Sequence, residues 1–290
     1  MNQVAKTAFI SVISTNLVNY GYEKINAWEP VVKFKMAQKM RNNNIELVDY
    51  KRDKKFHYVQ GCKAVGEIKN TLRKGLQCGG LYVLASPPGC GKSAHLQDIL
   101  SDFIKQSNDH HVIVVKFDAS EILSESNLRK KLGVPAYCDL KDVLPTGSWI
   151  IIDQLDRNEV GDMGGFFTAL ATSSNNSCGN FSVMVCVSKA RMFKDILECN
   201  GGQKILPVCN PLDFQVNESY IKEYIKAVRP TADVDTLLVA CKDSRSIGVA
   251  RNLVLHGKVA KVKTDWDSFS VVYNSFYTGG FWYRIRCSFV

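Results

Sequence analysis

The residues best placed to do chemistry stand together in the stretch GLYVLASPPGCGKS, residues 80–93. A short apolar run, a glycine-rich turn and a helical pattern opening at Lys92 follow one another, which is the context a phosphate-binding loop requires. Gly89 and Gly91 let consecutive backbone N–H groups converge on phosphate oxygens without a Cβ in the way. The helix N-terminus behind them adds the positive end of its dipole. Lys92 can reach the β- and γ-phosphates, and the Ser93 hydroxyl is placed to ligate Mg²⁺. Ser86, Pro87, Pro88, Cys90 and Ala94 complete the cradle. One departure stands out: the first position of G-x-x-x-x-G-K-[ST] is Ser86 rather than glycine.

Such a loop also needs a carboxylate for the Mg²⁺ shell at the end of a neighbouring strand. The segment SWIIIDQLD, residues 148–156, supplies it in Asp153, with Gln154 beside it as the residue that would position water. Between the two motifs, HVIVVKFD (111–118) reads as a strand and ASEILSESNLRKKLG (119–133) as a helix stopped by Gly133. After Asp153 comes a helix beginning past Gly165, with Phe166, Phe167, Leu170 and Ala171 on one face. The buried strand FSVMVCVS (181–188), the helix KARMFKDILECNGG (189–202) and a last short strand in QKILPVCNPL follow. Five apolar strands alternating with helices predict an α/β fold with a five-stranded parallel sheet between helices. Its active residues should gather at the C-terminal strand ends.

Composition narrows the class. The chain has 290 residues, 46% hydrophobic and 22% charged, which suits a folded protein and excludes a disordered one. No apolar run approaches the ~18 residues of a membrane span, and the N-terminus lacks the marks of a signal peptide. None of the ten cysteines forms a C-x-x-C pair, so free thiols in a reducing intracellular compartment, cytoplasm or nucleus, are expected. The net charge of +9 is unevenly spread: residues 1–80 carry 14 Lys and Arg against 6 Asp and Glu, while residues 81–290 carry 23 against 22. The excess is densest around Lys33, Lys35, Lys39, Arg41, Lys51, Arg52, Lys54 and Lys55, a segment able to bind polyanions through phosphate contacts.

These motifs, in this order, resemble the AAA+ class of P-loop ATPases, in particular its origin-recognition and clamp-loader-like branch, over roughly residues 55–262. SPPGCGKS resembles that class's GPPGxGKS, and IIIDQLD its Walker B strand. VMVCVS resembles the sensor 1 strand, which implies a sensing role for Ser188. HYVQGCKAVGEIKNTLRKGL resembles the segment before the first strand, implying that Val59 and Gly61 flank an adenine. Three helical stretches between 214 and 262 resemble the helical lid. GVAR matches its sensor 2 pattern, making Arg251 the γ-phosphate reporter, or Arg245 if the alignment slips. The resemblance implies ATP and Mg²⁺ as ligands, self-assembly or assembly with related subunits, and Arg191 as a candidate finger acting in trans. Gln154 stands where the class usually has glutamate. An amide can orient water but cannot accept its proton, so hydrolysis would be slow unless Asp156 substitutes.

The ends are less defined. Residues 1–54 read as a basic N-terminal arm or small module with a break at Trp28-Glu29-Pro30. The P-loop domain is assigned to 55–212, the helical lid to 213–263 and an aromatic tail to 264–290. In that tail SVVYNSFY, the turn Thr278-Gly279-Gly280 and FWYRIRCSF predict a β-hairpin. It would either dock on its own core or offer a surface to a partner subunit or to nucleic-acid bases. Three functional readings remain open from sequence. They are an oligomeric ATPase acting on nucleic acid in replication or remodelling, an ATP-dependent switch or scaffold with weak hydrolysis, and a superfamily-three-like viral helicase.

Overall fold

Five strands whose side chains are almost wholly apolar can satisfy their backbones only in a sheet covered on both faces. The computed structural model has that arrangement. It describes residues 20–21, 28–42, 62–107, 110–117, 121–153, 155, 163–176, 180–199, 205–241, 244–257 and 265–287. The strands are β1 (Gly80–Ala85), β2 (His111–Lys116), β3 (Ser148–Asp153), β4 (Phe181–Val187) and β5 (Ile205–Pro207), and all pairings are parallel in the order β2-β3-β4-β1-β5. Every residue of β1, β3 and β4 is buried.

The helices are α1 (Glu29–Asn42), α2 (Ala64–Cys78), α3 (Lys92–Gln106), α4 (Glu125–Leu132), α5 (Leu140–Val143), α6 (Met163–Asn175), α7 (Ala190–Glu198), α8 (Glu218–Val228), α9 (Val234–Cys241), α10 (Ile247–His256) and α11 (Trp266–Cys287). Alternate strand residues feed two cores. Tyr82, Leu84, Trp149, Ile151, Met184 and Cys186 meet α2 and α3 on one face. Val83, Ile113, Val115, Ile150, Ile152, Val183 and Val185 meet α1, α4, α6 and α7 on the other. A third, smaller core joins α8, α9 and α10 through Tyr220, Ile221, Tyr224, Ile225, Ala250 and Leu253.

The two faces explain where the site lies. The chain leaves β1 onto the face of α3 but leaves the adjacent strand β4 onto the opposite face, with α7. A crevice opens at the C-terminal ends of such a strand pair. Residues 86–93 and Ser188 sit there.

Several sequence expectations shift. The helix expected at 119–133 is confined to Glu125–Leu132. Ser124 stops it by accepting a hydrogen bond from the Asn127 N–H at 3.2 Å, and Gly133 ends it in the left-handed region. Within the basic N-terminal segment, α1 buries Val32, Met36 and Met40 against β2 and α5. Their i, i+4, i+8 spacing gives the reason. The largest correction is the C-terminal tail, which forms α11 and not a β-hairpin. Trp266, Phe269, Tyr273 and Phe276 recur at helical spacing and pack inward, and Asp265 caps the start by accepting from the Ser268 N–H at 3.2 Å. The alternation read in SVVYNSFY was the weaker of two periods. No helix among the described residues is long and apolar enough to cross a membrane.

Candidate functional site

The loop after β1 is built so that its polar atoms turn toward one another. Gly89 and Gly91 adopt φ of 78° and 83°, in the left-handed region where a side chain is strained. Ser86, by contrast, needs no glycine. It stays out of that region, is fully buried, and its N–H donates to the Val187 carbonyl at the end of β4 (3.3 Å). Lys92 opens α3 with its ammonium folded back under the loop, donating to Ser86 O at 2.6 Å, Ser86 Oγ at 3.2 Å and Pro87 O at 3.3 Å. The serine hydroxyl is thus part of the lysine's seat.

Ser93, one residue on, donates to both carboxylate oxygens of Asp153 at 3.2 Å each. Asp153 ends β3 and is buried. A cavity of about 310 Å³ lies over this group, lined by residues 89–94, Gln97, Asp153, Cys186, Ser188, Ile247, Gly248, Arg251 and Asn252. Burial pushes the Cys90 thiol up to about 11, so it stays neutral and adds no negative charge to the loop. Below the loop, burial holds the His95 imidazole down at about 4, and it is likewise uncharged near neutral pH.

The far wall comes from α10. Ser246 Oγ donates to the Gly89 carbonyl at 2.9 Å, and the Gly248 N–H donates to the same oxygen at 2.8 Å. The structure therefore gathers Lys92, Ser93, Asp153, Ser188 and Arg251 around one cavity. Arg245 does not join them. It sits at φ 46°, donates to Gln215 Oε1 at 3.2 Å, and lines a separate groove with Lys63, Asp213 and Trp266. Arg191 lies on the exposed surface of α7, 3.8 Å from Asp195. Val59, Gly61, Gln154 and Asp156 lie outside the described residues, as do Lys51, Arg52, Lys54 and Lys55. Sequence reading missed Ser246, Gly248 and Cys186. A serine before an apolar helix reads as an N-cap, yet Ser246 spends its hydroxyl on the loop and not on its own helix. That pairing has no local signature.

No family model and no curated protein matches the sequence. Among solved structures, the chain is similar to the Walker-type ATPase of Pyrococcus abyssi at 14% identity and a TM-score of 0.43, over 77% of this chain and 75% of that one. It is similar to domain III of the Thermotoga maritima replication initiation protein DnaA at 13% identity and a TM-score of 0.41, over 73% and 90%. Cdc6p from Pyrobaculum aerophilum shares 11% identity at a TM-score of 0.44, over 79% and 64%. At such values, function has to be read from the chain's own geometry.

Proposed function

We propose that this chain is an AAA+-like ATP-binding protein that uses Mg²⁺, assembles with copies of itself or with related subunits, and acts on nucleic acid. The observation that carries the nucleotide half is the meeting of Ser93 and Asp153. A hydroxyl and a carboxylate 60 residues apart in sequence lie within 3.2 Å of each other at the mouth of a glycine loop. Both are hard oxygen donors, the chemistry Mg²⁺ prefers, and they are the residues that would hold it. Mg²⁺, when bound, neutralises charge on the phosphate oxygens.

The chain's own groups divide the remaining work. The backbone N–H groups of the loop and the α3 N-terminus face the phosphates. Lys92, held by carbonyls, exchanges those acceptors for phosphate oxygens. A phosphate oxygen carries a full negative charge that a carbonyl lacks, so the ammonium gains an ion pair in the exchange. Arg251 brings a second cation from α10, and Ser188 a hydroxyl from the end of β4. Gln154 orients water without taking its proton, which favours slow turnover and supports a second reading: a nucleotide-controlled switch or scaffold.

The nucleic-acid half rests on the basic N-terminal segment. Within α1, Lys33 and Lys35 are exposed on either side of Phe34, which is also exposed. That combination offers phosphates two cations and a base one ring.

The test is steady-state ATP hydrolysis by wild type beside Lys92→Ala, with and without single- and double-stranded DNA and RNA. Turnover that depends on Lys92 and rises with one polymer supports the ATPase reading and identifies that polymer. Tight ATP binding without Lys92-dependent turnover leaves the switch. Neither binding nor turnover sinks both.

A further inference from the structure

The contact between α10 and the phosphate loop is closer than helix packing requires. Two donors, Ser246 Oγ at 2.9 Å and the Gly248 N–H at 2.8 Å, converge on the single carbonyl oxygen of Gly89. Gly89 can aim that carbonyl out of the loop because its φ is 78°. On the other side, a Cβ placed on Gly248 would lie 2.1 Å from the Gly89 oxygen and 2.8 Å and 2.9 Å from its carbonyl carbon and Cα. All three are backbone atoms, so no side chain can swing away to make room. Ile247, between the two donors, reaches to 3.2 Å of where a Cβ on Gly91 would stand. Residues 246–248 thus ride on residues 89–91, and only glycine at 248 permits it.

Arg251 stands three residues beyond Gly248 on the same helix, hence on the same face, and lines the same cavity. Its reach over the loop is fixed by how closely the start of α10 seats on Gly89. We propose that Ser246 and Gly248 are positioning residues that set Arg251 over the place of a nucleotide's terminal phosphate. They govern the preference for a nucleoside triphosphate over a diphosphate, and not nucleotide binding as such. The inference rests on the nucleotide-binding reading above. It differs from a purely structural role for the contact, which would weaken both nucleotides together.

Isothermal titration of ATP and ADP into wild type, Gly248→Ala, Ser246→Ala, Ser246→Thr, Arg251→Ala and Lys92→Ala, with melting curves for each, decides the matter. Gly248→Ala should weaken ATP by about tenfold or more, as Arg251→Ala does, while ADP changes by less than about threefold. Ser246→Ala should show the same pattern at smaller size, and Ser246→Thr, which keeps the hydroxyl, should restore it. Because Ser246→Ala removes one oxygen and adds no clash, it answers the question even if Gly248→Ala does not fold. Equal weakening of ATP and ADP, or an unchanged ratio in Ser246→Ala, overturns the proposal. If wild type binds both nucleotides equally and Lys92→Ala binds neither, the nucleotide reading stands and this inference falls. If wild type binds neither, both fall.

Discussion

The sheet with its two cores and the α8–α10 cluster are both held by apolar burial, but to very different extents. In the sheet, β1, β3 and β4 are buried along their whole length, and side chains such as Trp149, Phe167 and Phe193 are fully enclosed. The cluster encloses Tyr224 and Ile225 but leaves Val239 and Leu255 exposed, and its three short helices carry a core about a third the size of the larger sheet core. Long buried strands open only at high free energy, whereas short helices around a small core open locally at lower free energy. The cavity lies where the sheet meets this cluster. Lys92, Ser93 and Asp153 come from the first, Arg251 from the second. Under the proposed function, binding a nucleotide and reporting its terminal phosphate fall to different parts of one cavity.

The largest effect should come from the sheet side of the cavity. Lys92→Ala is expected to weaken ATP by on the order of 100-fold, since it removes a charge-assisted contact without a substitute. Titration of a fluorescent ATP analogue checks it, and retained affinity would mean that the loop does not bind phosphate. Next come paired truncations of the two regions. Phe193→Ala should destabilise the chain by about 3–5 kcal/mol and Ile225→Ala by about 2–5 kcal/mol, but their hydrogen-exchange maps should differ. The first lowers protection throughout β1, β3 and β4; the second lowers it in 216–257 and spares the strands. Equal loss everywhere in both variants would show one cooperative unit and break the comparison.

A third test uses pH. His95 is neutral in the folded chain down to about 4, whereas the unfolded chain protonates near 6.5. Between those values the unfolded state binds the extra proton, so stability rises with pH through the window and is fully present above it. Acidifying from pH 7 to 5 should lower the melting temperature, and His95→Gln should flatten that slope. An unchanged slope would locate the sensitivity elsewhere. The smallest effects belong to the caps. Ser124→Ala at α4 and Asn217→Ala at α8, where the Asn217 side-chain Oδ1 accepts from the Tyr220 N–H at 2.8 Å, should each cost about 1 kcal/mol. Exchange should register the first in the sheet layer and the second in the cluster, which sharpens the same division.

What was legible in the sequence follows this division too. IIID and VMVCV announce buried parallel strands because nothing else tolerates such runs, and SPPGCGKS fixes its own backbone through its glycines. The meeting of Ser93 with Asp153 is implied once both motifs sit at strand ends. Contacts between remote backbone atoms are not. Gly248 was visible inside GVAR, but only the approach of Gly89 gives it meaning. The C-terminal segment misled because SVVYNSFY satisfies a two-residue period locally, while the apolar spacing from Trp266 to Phe276 becomes decisive only against α7 and the turn Pro211–Phe214. α1 was hidden by its charge, since three buried residues among lysines leave a weak apolar stripe.

The start of α11 has a wider consequence. Trp266 enters the core beneath α2 and α3, and Phe269, three residues later, enters the core on the opposite side of the sheet. The helix therefore straddles the border next to β5, whose three residues present the sheet's last row of backbone groups. An uncovered border of that kind invites a foreign strand to add on and can seed runaway polymerisation. Here the border is only three residues long and closes on Pro207, which has no N–H to offer. A strand adding there would find at most three residues to pair with, so past β5 the sheet offers a copy of this chain little backbone to join.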